Sequence, residues 1–173
     1  MDLVKLQNEI HQQNKDMGWW DTPRAFDVFV CLFHSELSEA MEGDRENLMD
    51  DHLPQYEMFW VELADFTIRV MDYLGSEQDT GKYDITYFNG TDLNEFGRIG
   101  LLARLHSEIS DSFGYEDKIL RNYDLSICVV CCFEYARQNN VDLLQIIDEK
   151  RAYNLTRADH KPENRAKANG KKY

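Results

Sequence analysis

The sequence predicts an all-α protein, a helical bundle with a four-helix core built from an internal duplication of a helix-pair unit. The chain has 173 residues and only three prolines, so long helices can run without interruption. Hydrophobic residues recur at three- and four-residue spacing along most of the sequence, and one short motif occurs twice. A chain of this length can bury its own core, so we expect residues 1–173 to form a single domain.

The hydrophobic periodicity predicts six helices. Their approximate spans, in chain order, are 2–14, 23–43, 55–74, 92–112, 118–138 and 141–153. Thr22 and Pro23 predict the start of the second helix, as an N-cap followed by proline at the first helical position. Asp92 and Glu95 form a capping-box pattern that predicts the start of the fourth.

The repeated motif divides the domain into two similar halves. Residues 32–39, LFHSELSE, resemble residues 104–111, RLHSEISD, and each copy is followed by a second apolar helix. We therefore expect an intact repeat at about 23–75, a degenerate repeat at about 92–138, and a C-terminal helix and tail at 140–173. Two such helix pairs would form a four-helix core with pseudo-two-fold symmetry.

Composition limits the classes of partner. The net charge is −13, so most of the surface would repel a nucleic acid polymer. No run of 18 apolar residues is present and the first residues are polar, which predicts a cytoplasmic protein without a membrane contact. Cys128, Cys131 and Cys132 lack a second CxxC or a nearby His, so we expect small buried residues rather than zinc ligands.

Four carboxylates form the most informative pattern. Glu36 and Glu39 are three residues apart on one predicted helix, and Glu62 and Asp65 are three apart on the next. Residues at this spacing share a helix face, so two facing helices would direct all four toward one point. Both pairs lie within apolar stretches, which argues against solvated surface acids. A hard divalent cation, Mg²⁺ or Mn²⁺, would relieve their mutual repulsion.

A di-iron carboxylate bundle is the nearest alternative metal site. That class requires Glu-x-x-His on two helices, and no Glu in the chain is followed by His three residues later. His34 and His106 each lie two residues before a Glu, which is the wrong spacing for one helix face. The pattern therefore favours a magnesium site.

Two longer segments carry a family resemblance. HSELSEAME at 34–42 and ELADFTIRVMD at 62–72 resemble the MazG-like family of all-α nucleotide pyrophosphohydrolases, whose signature is ExxE, a spacer and ExxD, and which has the dimeric dUTPases as relatives. EKRAYNLTR at 149–157 is similar to the Lys-x-x-Tyr-Asn-x-x-Arg motif of many members. The resemblance covers about residues 25–75 and 140–161.

The resemblance implies an activity and a cofactor. It implies that Glu36, Glu39, Glu62 and Asp65 bind Mg²⁺ and that water attacks the α-phosphorus of a nucleoside triphosphate, releasing a monophosphate and pyrophosphate. We expect Glu39 to accept the proton of that water. A triphosphate carries more negative charge than one Mg²⁺ cancels, so further cations are expected at the site.

The C-terminal motif supplies the candidates for substrate binding. Lys150 and Arg157, with Lys161 as a third cation, are expected to contact phosphate, and Asn154 to contact phosphate or sugar. Lys150 and Arg157 are equally typical of a solvated helix end, where basic side chains interact favourably with the helix dipole.

Arg69 and Asp72 follow the second acidic pair by one and two turns. They are expected either to pair with each other or to orient the metal ligands. Trp19 and Trp20 are expected to cap the end of the bundle, with stacking on a base as the alternative.

The second copy departs from the family pattern. Glu108 and Asp111 repeat the first acidic pair, whereas Arg121 stands where the first copy has Glu62, and Asp124 matches Asp65. A positive side chain in place of a metal ligand predicts one working site per chain, although Arg121 reaching across to the substrate phosphates is an alternative.

Three functional hypotheses follow. The first is a Mg²⁺-dependent nucleoside triphosphate pyrophosphohydrolase, expected to act as a homodimer in nucleotide-pool control. A catalytically inactive member that binds nucleotides or regulates a partner is the second. The third is a helical structural protein without a site.

Turn-rich residues 76–90 are expected to form a short hairpin or a loop, and the end of the tail 157–173 is expected to be disordered.

Overall fold

The computed structural model describes residues 2–77 and 83–171 and is all-α. Within these ranges there are seven α-helices and no strand: α1 (Leu3–Asp16), α2 (Phe26–Glu46), α3 (Met58–Ser76), α4 (Gly97–Gly114), α5 (Lys118–Gln138), α6 (Leu143–Thr156) and α7 (Pro162–Arg165). Two short 3₁₀ helices occur at Leu93–Phe96 and Ala158–His160. No helix in the described ranges is long and apolar enough to cross a membrane.

Helix α3 lies at the centre of the fold. It packs against α1, α2, α5 and α6, and 14 of its 19 residues are buried. A helix that is buried on nearly all sides belongs to the core rather than to the surface. Two acidic side chains of this helix, Glu62 and Asp72, are therefore buried away from solvent.

Four helices form the predicted core. Helix α2 packs against α3 and α4, and α5 closes the arrangement by packing against α3 and α4. Equivalent histidines of the two motif copies meet, partly buried, where α2 packs on α4: the Nδ1 atoms of His34 and His106 are 2.7 Å apart and their rings lie within 10° of parallel. A two-fold axis between the copies would produce such a contact. The duplication itself remains a prediction.

Both helix starts predicted from capping patterns lie before the observed ones. Helix α2 begins at Phe26, with Ala25 as an N-cap that has no side-chain bond, instead of at Pro23. The guanidinium carbon of Arg24, just before the helix, lies 4.4 Å from the centre of the Phe29 ring. Gly97, with φ of 61°, separates the first 3₁₀ helix from α4.

Asp92 caps the 3₁₀ helix rather than an α-helix. Its side chain accepts a hydrogen bond from the backbone N–H of Asn94 at 3.0 Å. The described residues 83–90 form turns without a strand, and residues 78–82 of the predicted hairpin or loop lie outside the described ranges. The capping pattern at Asp92 therefore marks the start of a helix, but a 3₁₀ helix comes first and α4 begins only at Gly97.

The C-terminal tail packs against the segment that follows α1. Arg165 donates a hydrogen bond from Nη2 to the carbonyl oxygen of Met17 at 2.8 Å and lies 4.0 Å from the centre of the Trp19 ring. His160 meets the same indole edge-on, with ring centres 5.3 Å apart. The disorder predicted for the end of the tail stays a prediction, and residues 172 and 173 lie outside the described ranges.

Candidate metal centre and adjoining cavity

Three of the four predicted carboxylates converge. One oxygen each of Glu36 on α2 and Glu62 and Asp65 on α3 lies within 4.8 Å of the others. Glu36 and Glu62 are only 4% and 6% exposed. Because Glu62 and Asp65 are one turn apart on the central helix, α3 alone provides two of the three groups.

The close packing of α2 on α3 brings the third carboxylate to the other two. A Cβ atom added at Gly43 of α2 would lie 2.8 Å from the Cβ atom of Met58 on α3, so only glycine permits this approach. Phe33, Leu37 and Ala40 of α2 are fully buried. This apolar face holds α2 against its neighbours and thereby fixes the position of Glu36.

Glu39, the fourth predicted ligand, lies outside this group. Its side chain is exposed, although its negative charge is near enough to contribute to the raised pKa of Glu62. The structure therefore brings together two buried carboxylates and a partly buried one, Asp65, and leaves a fourth beside them. The role of Glu39 as the base remains a prediction.

The cluster is electrostatically unsatisfied in the absence of a cation. Burial and, after it, the neighbouring charge of Asp65 together raise the pKa of Glu62 to about 9, against the attraction of Lys150. The pKa of Asp65 is also raised by burial, again opposed by Lys150. Two carboxyl groups whose ionisation is this unfavourable form a set that a divalent cation would stabilise.

Lys150 belongs to the cluster. Its side chain is buried, and Nζ lies 3.0 Å from Oδ2 of Asp65. The sequence predicted Lys150 as a phosphate contact, whereas the structure places its ammonium group on one of the predicted metal ligands. Helix α6 thus contributes a positive charge that partly neutralises the acids.

Arg69 and Asp72 have different partners. Arg69 Nε is 2.6 Å from Oε1 of Glu36, so the guanidinium orients that carboxylate. Asp72 instead lies 2.8 Å from Nδ1 of His11 and accepts a hydrogen bond from Nε1 of Trp20 at 2.9 Å. Of the predicted alternatives, the structure favours Arg69 as an orienting group. Asp72 anchors α1 and the indole because it points one turn further along α3.

The donor set fits a hard cation such as Mg²⁺. Oxygens that share an octahedral Mg²⁺ lie about 3.0 Å apart at adjacent positions and about 4.2 Å apart at opposite ones, because each is about 2.1 Å from the ion. Side-chain rotation would bring three oxygens that lie within 4.8 Å of one another to these separations. The three acidic residues can therefore hold a metal ion.

A cavity adjoins the cluster. Asp65 and Arg69 form part of its wall, and Asn154 and Arg157 on and after α6 line it as well. Oδ1 of Asn154 is buried without a hydrogen-bond partner among the described residues. Two of the predicted substrate-binding residues thus line a cavity next to the candidate metal centre, while Lys161 is exposed and does not line it.

The cavity wall is rich in basic side chains that sequence reasoning missed. His160 lines the cavity as well, but burial lowers its pKa to about 4, so it adds no charge at neutral pH. The charged groups come from the loop before α2, from α6 and from the tail: Arg24, Arg151 and Lys171. This concentration of positive charge stands out in a chain of net charge −13. It makes the cavity suited to an anionic ligand.

The second copy does not form an equivalent cluster. Burial raises the pKa of both Glu108 and Asp124, and the charge of Asp111 adds to each shift. Arg121 donates a hydrogen bond from Nη2 to the carbonyl oxygen of Tyr115 at 2.7 Å, away from these acids. The guanidinium neither takes the place of a metal nor lines the cavity.

Comparison with known proteins adds no family. The chain matches no protein-family model, no curated protein and no solved structure. The MazG-like resemblance therefore rests on its sequence motifs alone.

The raised pKa of Glu62 has a testable consequence for stability. A carboxyl group that holds its proton more tightly when folded stabilises the protein at low pH, so metal-free protein should lose stability as pH rises from 4.5 to about 9. A bound divalent cation would replace that proton, so the affinity for Mg²⁺ should rise over the same pH interval. Thermal unfolding with EDTA or MgCl₂ across this range measures both trends. A magnesium affinity independent of pH would contradict the assignment of Glu62.

Proposed function

We propose that the chain is a Mg²⁺-dependent nucleoside triphosphate pyrophosphohydrolase, which converts a nucleoside triphosphate to a monophosphate and pyrophosphate. One observation carries the proposal: a buried cluster of three carboxylates opens beside a cavity lined by basic side chains. Such a site offers a cation to the reacting phosphate and positive charge to the remaining ones. The motif resemblance supports the same reaction.

The cation would be held by Glu36, Glu62 and Asp65. When bound, Mg²⁺ neutralises charge on phosphate oxygens and lowers the pKa of a coordinated water. Arg69 holds the carboxylate of Glu36 in place from outside the cluster. Glu39 is exposed beside the cluster and is the candidate to accept a proton from the attacking water.

The remaining phosphates and the nucleoside would occupy the cavity. Asn154 offers a buried carbonyl oxygen without a partner, which suits a sugar hydroxyl or a base N–H. Arg157 lines the same space and is paired with Asp159 at 2.8 Å, so a phosphate would have to displace that carboxylate.

The proposed enzyme is a homodimer. It acts on nucleotide pools in the cytoplasm and has no nucleic acid or membrane partner. Large apolar side chains are exposed at the junction of α4 and α5, where Phe113, Ile119 and Tyr123 are more than one-third accessible. An exposed apolar surface of this kind is typical of a protein contact. Light scattering after size-exclusion chromatography measures the oligomeric state.

Product analysis tests the reaction. Purified protein is incubated with MgCl₂ and a panel of ribo- and deoxyribonucleoside triphosphates, and the products are separated by ion-exchange chromatography, with EDTA as the control. We expect equal amounts of monophosphate and pyrophosphate. Diphosphate and phosphate would rule out the proposed bond cleavage. No turnover with Mg²⁺ or Mn²⁺ would leave the inactive binding module as the better hypothesis.

A further inference from the structure

Arg24 is the least satisfied cation of the cavity. Its side chain reaches from the loop before α2 into the cavity wall, and its guanidinium carbon lies 4.9 Å and 4.4 Å from the ring centres of Trp20 and Phe29. The Nε and Nη2 atoms are buried and have no hydrogen-bond acceptor among the described residues. A buried donor without an acceptor is costly, and the cost is larger for a charged group.

Other cations of the wall already have partners. Arg69 is paired with Glu36, Arg157 donates to Asp159, and Nζ of Lys171 lies 3.2 Å from the same Asp159. These side chains can contribute to the electrostatic field of the cavity, but each already has a carboxylate partner. Arg24 differs from these side chains because its Nε and Nη2 donors, which form one open edge of the guanidinium, have no acceptor among the described residues.

The surroundings of Arg24 contain a surplus of positive charge. Burial lowers the pKa of the guanidinium, Asp72 opposes that shift, and the nearby charges of Arg69 and Arg165 add to it. Asp72 also accepts the indole N–H of Trp20 at 2.9 Å. An anion entering the cavity would relieve this repulsion and supply the acceptors that the guanidinium lacks.

The shape of the open edge indicates which anion. In arginine, Nε and Nη2 donate side by side from one edge of the planar group, which matches two oxygens of a phosphate. The guanidinium carbon lies near both the Trp20 and the Phe29 ring, and these two rings are stacked on each other with their centres 5.4 Å apart. These contacts restrain the Arg24 side chain at the cavity wall before any ligand arrives.

We propose that Arg24 binds a phosphate group of the nucleoside triphosphate through Nε and Nη2, and forms the anion subsite of the cavity. The proposal rests on the proposed function for the identity of the nucleotide. The recognition itself requires only a phosphate chain, so inorganic pyrophosphate is a sufficient probe. Arg24 acts here as a binding residue.

Calorimetric titration with sodium pyrophosphate in EDTA tests the subsite without the metal. We expect Arg24→Gln to weaken binding about 10- to 100-fold, the equivalent of a charge-assisted hydrogen bond. Arg24→Lys should give an intermediate affinity, since it keeps the charge and loses the paired donors.

Arg98→Gln is the matched control. Arg98 also lies over aromatic rings, 4.6 Å from the centre of Phe59, but it pairs with Asp44 and Glu57 and does not line the cavity. Its replacement should leave pyrophosphate affinity unchanged. Thermal unfolding of each variant verifies that folded protein is titrated, and Arg24→Lys serves if Arg24→Gln does not fold.

The outcomes separate the two proposals. Wild-type affinity in both Arg24 variants, an equal loss in Arg98→Gln, or no binding by the wild type would overturn the subsite. Arg24-dependent pyrophosphate binding in a protein that hydrolyses no triphosphate would support the subsite and refute the proposed reaction. Triphosphate hydrolysis with an unchanged KM in Arg24→Gln would support the proposed reaction and refute the subsite.

Discussion

Replacing Glu62 by Gln is expected to lower kcat/KM for nucleoside triphosphate hydrolysis by at least about 100-fold, because even residues that merely orient metal ligands are worth 10- to 100-fold. Gln keeps the size of the side chain and removes the charge that would hold the cation. Monophosphate formation, measured as an initial rate over a titration of MgCl₂, gives both kcat/KM and the magnesium dependence.

The fold should tolerate this change. The pKa of Glu62 is raised to about 9, so the group is largely protonated at pH 7 without metal, and Gln resembles that neutral form. We expect an unchanged unfolding temperature in EDTA and the loss of stabilisation by Mg²⁺. An activity loss with an intact fold would locate the defect in the site.

Glu108→Gln provides the control for Glu62→Gln. Glu108 occupies the position in the second motif copy that Glu36 occupies in the first, and it does not line the cavity. Its replacement should leave kcat/KM and the stabilisation by Mg²⁺ unchanged. If Glu62→Gln retained wild-type activity, the carboxylate cluster would not be the catalytic centre.

Lys150→Met is expected to have the largest effect on stability. Lys150 is 2% exposed, and its ammonium group is the partner of Asp65 at 3.0 Å. Removing one member of a buried ion pair costs about 3–5 kcal/mol, which corresponds to a fall of roughly 10 °C in unfolding temperature for a chain of this size. Mg²⁺ should restore part of the loss, since it supplies positive charge to the same carboxylates.

Lys118→Met is the matched control for Lys150→Met. Lys118 forms a shorter ion pair, 2.7 Å from Glu77, but its side chain is 65% exposed. Exposed pairs contribute at most about 1 kcal/mol, so this variant should unfold within a few degrees of the wild type. Thermal unfolding of both variants in EDTA makes the comparison. Equal losses would mean that the charge of Lys150 does not compensate the buried acids.

The sequence was informative where structure depends on local periodicity. The predicted span 118–138 coincides with α5, Lys118–Gln138, because Asp117 caps its start and buried apolar residues recur as far as Ala136, close to its end. Glu36, Glu62 and Asp65 could be grouped because three-residue spacing and apolar neighbours fix the face of a helix. Glu39 has the same spacing, yet it lies at the solvent edge of α2, and spacing alone cannot distinguish the two cases.

Contacts between distant segments escaped prediction. In the sequence, Lys150 resembles a basic side chain at a solvated helix end. Its burial depends on the packing of α6 against α3, which the local sequence pattern does not predict. Arg24 follows a proline in a polar turn, and only the fold places it over Phe29 and beside α3. The basic tail similarly reaches the cavity through contacts of Trp19 with His160. Where a residue acts through another element, its own neighbourhood in sequence carries little information.

The central position of α3 also bears on the order in which the molecule assembles. Helices α2 and α3 are joined by residues 47–57 alone, so closing that loop costs little entropy and their acidic faces can meet early in folding. Lys150 arrives only with α6, much later in the chain. Until then the helical hairpin would carry like charges without a counter-charge, and a divalent cation present during folding would act as a temporary substitute for a helix that has not yet docked.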